Sequence, residues 1–200
     1  KRKKLAIVVV LCDVVAPSIP VVFPNNHSDE IYAIGDLLAK TTLTADDIFA
    51  YTMSIRGKEN LGILGYKDNE NCHSHPAYNR DKAMTFYNIL RANTDYIIVD
   101  CMTDPDMSIL TETALTEADK TVFLSTPDLK CLSYSMSQLP HFITRGYIKP
   151  TQLSVMNVPF DGHAMPVADA RSHLGKIVFT LPYSSALSEQ SVEGRIGEEL

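Results

Sequence analysis

Polar side chains follow the apolar runs of this sequence at the points where strands would end. They are Asp13 after VVVLC, Asp100 after YIIV, Asp128 after VFLSTP, Asn157 after LSVM, and Tyr183 after the run that ends in Pro182. In a doubly wound sheet, ligands bind outside the carboxyl ends of the parallel strands. These positions are therefore the first candidates for binding or catalysis.

Asp13 and Asp100 are the two positions best suited to a metal ion. A carboxylate fixed at the edge of a sheet can hold a hydrated magnesium ion beside a nucleotide phosphate. We therefore predict that Asp13 and Asp100 are the catalytic pair and that they bind Mg²⁺ through water. An aspartate after a strand can also simply cap the next turn or helix, and that alternative stays open for each residue.

The elements that must position these residues alternate along the chain. Apolar runs that are typical of buried strands cover Leu5 to Val15, Leu61 to Tyr66, Asp95 to Cys101, Lys120 to Pro127, Gln152 to Pro159 and Lys176 to Tyr183. Between them, the segments HSDEIYAIGDLLAK, NRDKAMTFYNILRAN, SILTETALTEAD and LSYSMSQLPHFITRGY are predicted helices. This alternation predicts an α/β fold with a doubly wound, mostly parallel sheet and helices on both faces.

The first apolar run is longer than a usual strand. It covers eleven residues from Leu5 to Val15 and resembles the close of a second strand at Asp13. Two parallel neighbours need a crossover of about 10 to 12 residues, and none lies between Val8 and Leu11. Either the run is one long strand, or residues are absent from the sequence there.

Composition excludes several classes of protein. The chain has 200 residues, 45% of them hydrophobic, with a net charge of -6 and four cysteines. This balance disfavours disorder, a disulfide framework and a broad nucleic-acid footprint. The basic run from Lys1 to Lys4 precedes an apolar stretch that is too short for a membrane span, so we interpret it as the start of a strand. We predict one domain over residues 1 to 200.

Several ordered blocks of the sequence resemble the P-loop ATPases of the MinD and ParA type, which include the pilus-associated CpaE and TadZ proteins. VLCDVVAPSIPVVF is similar to the family's second strand and first switch, and the block from DYIIVDC to TPDLKCLSYS is similar to its Walker B strand, second switch and following strand. QLSVMNVP is similar to the strand whose Asn recognises the base, and FTLPYSSALSEQSVEG to the segment near adenine. The resemblance implies a three-layer, P-loop NTPase-like fold.

The resemblance also implies a function. It indicates an ATP-dependent dimerisation switch that positions DNA, division machinery, or pilus and secretion machinery. The implied nucleotide-binding residues are Asn157, Pro182, Tyr183 and Ser184, with ATP or ADP and Mg²⁺ as cofactors. The implied partners are a second copy of the chain and a protein that stimulates hydrolysis or receives localisation. The implied location is the bacterial cytoplasm, with peripheral association at the membrane or cell pole. Composition does not support DNA contact, and the end SVEGRIGEEL has no amphipathic membrane helix.

The sequence departs from the family at three places. No G-x-x-x-x-G-K-[ST] motif occurs, so we predict that a P-loop and its crossover helix, roughly 25 to 35 residues, are absent near residue 9. Val15 stands where the family often has a second carboxylate. The second switch, CMTDPD, lacks the usual Gly, although Asp104 or Asp106 could have another polar role. We therefore expect weak ATPase activity.

Other functions stay open beside the switch. One is a non-catalytic scaffold that keeps the fold but has lost hydrolysis, and another is a flavodoxin-like module, which would give a yellow preparation. Cys72, His73 and His75 form a compact CHSH cluster, but the second half of a zinc site is missing, and spacing favours a polar loop before a helix. The acidic segment from Asn25 to Phe49 is typical of a solvated helix pair or a partner surface. Asn157 is either the base reader or a turn residue after its strand.

Overall fold

The chain divides into two compact units. A computed structural model describes residues 4–23, 32–55, 57–159, 165–174 and 176–195. The first unit comprises Lys1–Ala114 with Gln190–Leu200, and the second comprises Leu115–Glu189. The prediction of a single domain over residues 1 to 200 stays a prediction.

The first unit is built on a four-stranded sheet. Its strands are β1 (Ile7–Leu11), β2 (Met53–Ile55), β3 (Lys58–Leu64) and β4 (Tyr96–Asp100), in the order β2-β3-β1-β4. β1 is parallel to both neighbours, with Val10 opposite Leu64 on one side and Leu11 opposite Asp100 on the other. Of these four strands, only β2 is antiparallel to its neighbour, and Gly57, directly before β3, has a φ of 79° that favours glycine.

The long first run contains one strand. Pairing with β3 and β4 is continuous from Ile7 through Val10, and β1 occupies only five residues of the eleven-residue run. Asp13 lies beyond the end of β1, in the loop that follows it. The prediction that a P-loop is absent near residue 9 stays a prediction.

Among the described residues, five helices begin in the first unit: α1 (Ile19–Val22), α2 (Ile34–Ala39), α3 (Ala45–Ala50), α4 (Arg80–Asn93) and α5 (Ile109–Glu117). α4 shows why they form. Asn79 caps it by accepting the Lys82 N–H at 3.0 Å, and its buried residues fall on one face at helical spacing. They are Ala83, Phe86, Tyr87 and Leu90.

The core of the first unit lies between this sheet and α2, α4 and α5. Val10, Leu64, Ile34, Leu37, Phe86, Leu90 and Leu110 all have 0% exposure and belong to one hydrophobic cluster. Burying one such side chain contributes about 1.5 to 3 kcal/mol. The elements that end in Asp13 and Asp100 are therefore held by the best-packed part of this unit.

The acidic segment forms two short helices, but they are not the solvated pair that the sequence favoured, because Ile34, Leu37 and Leu38 of α2 are buried in the core. The first part of the segment lies outside the described residues. α3 begins with a capping box in which Thr44 Oγ1 accepts the Asp47 N–H at 3.1 Å. Asp47 Oδ2 accepts the Thr44 N–H in return, at 3.1 Å. Lys40 pairs with the same carboxylate, and this contact holds the pKa of Asp47 at about 2.

The second unit is built on three parallel strands, β5 (Val122–Ser125), β6 (Leu153–Asn157) and β7 (Phe179–Leu181), in that order. Its helices are α6 (Leu129–Arg145), α7 (Val167–Leu174) and α8 (Ser185–Val192), the last of which runs on into the first unit. α6 is capped by Asp128 and ends at Gly146, whose φ of 72° is left-handed.

One sequence expectation about these strands is wrong. The runs of β4, β5 and β7 were predicted to be buried, but every second residue is exposed, including Tyr96, Ile98, Val122, Leu124 and Phe179. All three strands lie at the edges of their sheets, and each has one exposed face and one partly or fully covered face. Among the described helices, none is long and apolar enough to cross a membrane.

Candidate functional site

Asp13 and Asp100 lie at the same edge of the first sheet. Asp100 is the last residue of β4, and Asp13 follows β1 by two residues. The two strands are parallel and adjacent, and the Cys12 N–H donates to the Asp100 carbonyl at 3.0 Å. The structure therefore brings the two predicted catalytic residues together at the carboxyl ends of neighbouring strands.

The two carboxyl groups repel each other. Partial burial raises the pKa of Asp100, and the negative charge of Asp13 raises it further. A divalent cation between two carboxylates relieves this repulsion and supplies the charge that desolvation removes. The donor set, carboxylate oxygens at a partly solvated edge, suits Mg²⁺.

Asp13 also caps its own loop. Its Oδ1 accepts the N–H groups of Val15 at 2.9 Å and Ala16 at 2.8 Å. The capping alternative is therefore realised for this residue. Because a carboxylate has a second oxygen, the turn fixes the side chain and leaves Oδ2 as a ligand atom.

The loop that follows β4 is held by threonine and serine hydroxyls. The Met102 N–H donates to Thr111 Oγ1 at 3.1 Å, and Ser108 Oγ accepts the Thr111 N–H at 3.2 Å. Asp104 caps a single 3₁₀ turn, Pro105–Met107, by accepting the Asp106 N–H at 3.2 Å. Asp104 thus has a positioning role in the loop.

A buried set of hydroxyl and thiol groups lies beneath this edge, and sequence reasoning missed it. The Tyr87 hydroxyl donates to the Leu110 carbonyl at 3.1 Å and lies 3.9 Å from Cys12 Sγ. Burial raises the pKa of Tyr87 and of Tyr78, and it raises the pKa of Cys101 to about 12. All of these groups stay protonated at neutral pH, so they act as fixed hydrogen-bonding supports.

The other predicted site residues meet at the edge of the second sheet. Asn157 ends β6 opposite Leu181 of β7, and Pro182, Tyr183 and Ser184 follow directly. The Val158 N–H donates to the Leu181 carbonyl at 3.0 Å, which holds the two strand ends together. These four residues therefore share one edge of the second unit.

Two residues at this edge are helix caps. Ser184 Oγ accepts the Leu187 N–H at 3.3 Å at the start of α8. Asp128 Oδ1 accepts the Cys131 N–H at 2.8 Å at the start of α6. Hydrogen bonds from the Thr126 hydroxyl and the Cys131 N–H lower the pKa of Asp128. For Asp128, capping accounts for the strand-end aspartate.

The sequence itself matches no protein-family model and no curated protein. Solved structures do match over nearly the whole chain. A ParA family ATPase from Chlorobium tepidum TLS has a TM-score of 0.72 at 15% identity, covering 98% of this chain and 78% of its own. A plasmid partition protein from Borrelia burgdorferi B31 bound to AMPPNP has 0.71 at 16%, covering 98% and 80%. The septum site-determining protein MinD with Mg-ADP from Pyrococcus horikoshii OT3 has 0.68 at 17%, covering 96% and 74%.

These similarities establish the fold. The chain has the α/β architecture of the ParA and MinD ATPases, with parallel and mixed sheets and helices on both sides. The predicted fold class and the predicted resemblance are therefore confirmed. At 14 to 17% identity, similarity of fold says nothing about the roles of individual residues.

Proposed function

We propose that this protein is an ATP-dependent dimerisation switch of the MinD and ParA type. One observation carries the proposal: Asp13 and Asp100 lie at the ends of neighbouring parallel strands in a fold shared with these ATPases, and the charge of Asp13 adds to the effect of burial in raising the pKa of Asp100. Ligands of such sheets bind at this edge. In two of the similar structures the bound groups are AMPPNP and Mg-ADP.

In this proposal, Asp13 and Asp100 hold the magnesium ion of a bound nucleotide through water. The ion would neutralise the phosphate charge and orient the terminal phosphate. Asp13 is suited to the role because its loop fixes the carboxylate through two backbone N–H groups. The Met102 to Thr111 hydrogen bond would keep the second switch in register with the end of β4.

At the edge of the second sheet, Asn157 and Pro182 to Ser184 are the proposed base-binding residues. The Asn157 amide has both a donor and an acceptor group, as recognition of a base edge requires. Tyr183, which is 38% exposed, offers an aromatic surface. The phosphate cradle itself is proposed to come from a P-loop that this 200-residue sequence does not contain.

The proposed activity is slow hydrolysis. A carboxylate that could position the attacking water is missing at Val15, which lies in the loop after β1 and is 63% exposed. A slow ATPase suits a switch, because the nucleotide then sets how long two subunits stay together. The homodimer and the stimulating protein partner belong to this proposal.

The proposed output is positioning of cellular machinery. The similar structures include cell division proteins, a MinC:MinD complex and plasmid partition proteins. We extend this to DNA, division machinery, or pilus and secretion machinery as cargo, in the bacterial cytoplasm or peripherally at the membrane or cell pole.

Calorimetric titration of Mg-ATP into the full-length protein, with the segment proposed near residue 9 present, tests the proposal. We expect a dissociation constant in the tens of micromolar or tighter, which corresponds to about 6 kcal/mol or more. Asp100→Ala and Asn157→Ala should each remove most of the heat. Asp119→Asn, an exposed aspartate outside both strand ends, is the matched control and should bind normally. A folded protein that gives no heat would exclude the switch.

A non-catalytic scaffold is the second candidate function. It is favoured by the lack of a G-x-x-x-x-G-K-[ST] motif in the sequence and by the capping role of Asp13. The same titration separates the two functions. The scaffold predicts no nucleotide binding but retained self-association, measured by sedimentation.

A further inference from the structure

A histidine and two carboxylates from two separate segments of the first unit converge. They are Asp36 on α2, and Glu70 and His75 in the loop between β3 and α4. One ligand atom from each residue lies within 4.8 Å of the other two. His75 belongs to the CHSH cluster of the sequence. Its neighbours here are carboxylates from outside that cluster, Asp36 and Glu70.

The imidazole of His75 is fixed by packing. It lies directly on the backbone of Gly35, where a Cβ atom would overlap the ring. On another side, the Tyr66 ring lies 6.3 Å away between centroids. The His75 side chain is only 13% exposed. A ring held in this way is a preorganised ligand, because little side-chain freedom is lost on binding.

Glu70 is buried beside this ring. Its side chain is 7% exposed, and its Oε1 lies 3.0 Å from His75 Nε2. Its other oxygen, Oε2, accepts the Lys67 N–H at 3.0 Å, which fixes the carboxylate. Asp36 completes the group, with Oδ1 3.3 Å from His75 Nδ1 and a side chain that is half exposed. A buried carboxylate needs a compensating positive charge.

The geometry fits a shared cation better than a hydrogen bond. His75 Nε2 is buried and makes no hydrogen bond, although Glu70 Oε1 is only 3.0 Å away. In a tetrahedral zinc site with bonds of about 2.0 to 2.1 Å, two ligand atoms lie about 3.3 Å apart. Their lone pairs point at the ion and not at each other. Two ligand atoms that are close together but not aligned for a hydrogen bond are therefore expected in such a site.

We propose that His75 Nε2 and Glu70 Oε1 bind a divalent transition-metal ion, with Zn²⁺ well suited to an imidazole and a carboxylate, and that Asp36, which faces Nδ1, fixes the ring from its other side. Two protein ligands leave the remaining positions of the ion to water or another ligand. His75 and Gly35 also line a cavity of about 180 Å³. This site shares no residue with the proposed magnesium site, and its argument does not depend on that site.

Calorimetric titration of Zn²⁺ into the chelator-treated protein tests this site. We expect one strong site per chain with a dissociation constant in the micromolar range or below. Asp36→Asn and Glu70→Gln should each weaken binding at least tenfold. Glu70→Gln keeps an oxygen to accept the Lys67 N–H, so it should fold, and circular dichroism checks this.

Two controls separate this site from its surroundings. His73→Ala removes an exposed histidine from the same loop and should leave zinc affinity within twofold of the parent. Asp100→Ala removes the proposed magnesium ligand and should also leave it unchanged. Absorption of bound Co²⁺ gives an independent measure of coordination by His75. Equal zinc binding in all variants, or no binding to the folded parent protein, would overturn the site.

Discussion

The two units of this protein differ in how completely they bury their own apolar side chains. In the first, both hydrophobic clusters of the described residues form around β1 and β3, and many members have 0% exposure. In the second, all three strands expose apolar residues, among them Val122, Leu124, Leu153, Phe179 and Leu181. α6 likewise exposes Leu129, Met136, Leu139 and Ile143.

Because of this difference, the first unit is suited to holding side chains at fixed distances and the second to local rearrangement. The first unit carries both groups whose chemistry depends on fixed distances, the Asp13 and Asp100 pair and the Asp36, Glu70 and His75 group. Its dense packing resists local opening. The second unit carries the proposed base-binding residues on a less buried scaffold, and regions with few buried apolar contacts open at lower free energy.

Truncating a buried side chain in each unit gives the largest expected effect. Phe86→Ala, at 0% exposure in the first unit, should lower the free energy of unfolding by about 3 to 5 kcal/mol through lost burial and a cavity. Leu132→Ala on α6, at 7% exposure, should cost less, about 2 kcal/mol. Urea denaturation followed by circular dichroism measures both. Equal losses would show that the two units pack equally well.

Hydrogen exchange should show the next largest difference. Amides of β1 and β3 should exchange at least tenfold more slowly than those of β5 and β7, because buried strands open only with much of their unit. Mass spectrometry of peptic fragments measures this directly. Similar protection in both sheets would mean that the exposed apolar residues of the second sheet do not weaken it.

Two helix caps test whether the units unfold separately. Thr44→Ala removes the acceptor of the Asp47 N–H at the start of α3, and Asp128→Ala removes the acceptor of the Cys131 N–H at the start of α6. Each should cost about 1 kcal/mol. If the units unfold in two steps, each variant should shift only its own step in thermal unfolding. A single transition that both variants shift would show one cooperative structure.

The sequence predicts much of the first unit, because its signals are local. The continuous apolar runs at Ile7–Leu11 and Tyr96–Asp100 and the cap and period of α4 are sufficient to find those elements. β2 was missed because it has three residues and no apolar run, although Gly57 marks its turn. Helix α7 was also missed, because its eight residues contain no apolar run.

The sequence predicts that the residues of one site lie close together, but it does not predict this for the other site. Asp13 and Asp100 were predicted to meet because parallel strands place their carboxyl ends at one edge, and that follows from order along the chain alone. The meeting of Asp36, Glu70 and His75 depends on the imidazole packing against Gly35. No period or spacing encodes such a contact, so the CHSH cluster was interpreted as a polar loop.

The smallest expected effect compares the strand-end aspartates of the two sheets, whose pKa values shift in opposite directions. Burial and Asp13 raise the pKa of Asp100, so its ionised form destabilises the folded state at neutral pH. Hydrogen bonds from Thr126 and Cys131 lower the pKa of Asp128, so its ionised form stabilises the folded state. Asn mimics the protonated carboxyl in both cases.

Asp100→Asn should therefore raise the melting temperature at pH 7 by about 1 to 3 °C, and Asp128→Asn should lower it by a similar amount. The gain at Asp100 should fade as the pH falls through its raised folded-state pKa and reach zero below the ordinary value of 3.8, where the parent is also protonated. The loss at Asp128 should begin to fade below pH 3.8 and vanish once the pH falls below its lowered pKa. Melting curves between pH 3 and 7 measure both effects.

Adding Mg²⁺ sharpens the comparison between the two aspartates. If the strand-end pair binds the ion, Mg²⁺ should stabilise the parent and Asp128→Asn but not Asp100→Asn, because only Asp100→Asn removes a ligand of the ion. Equal stabilisation of all three by Mg²⁺ would place the ion elsewhere and leave Asp100 with no more than an electrostatic cost to the fold.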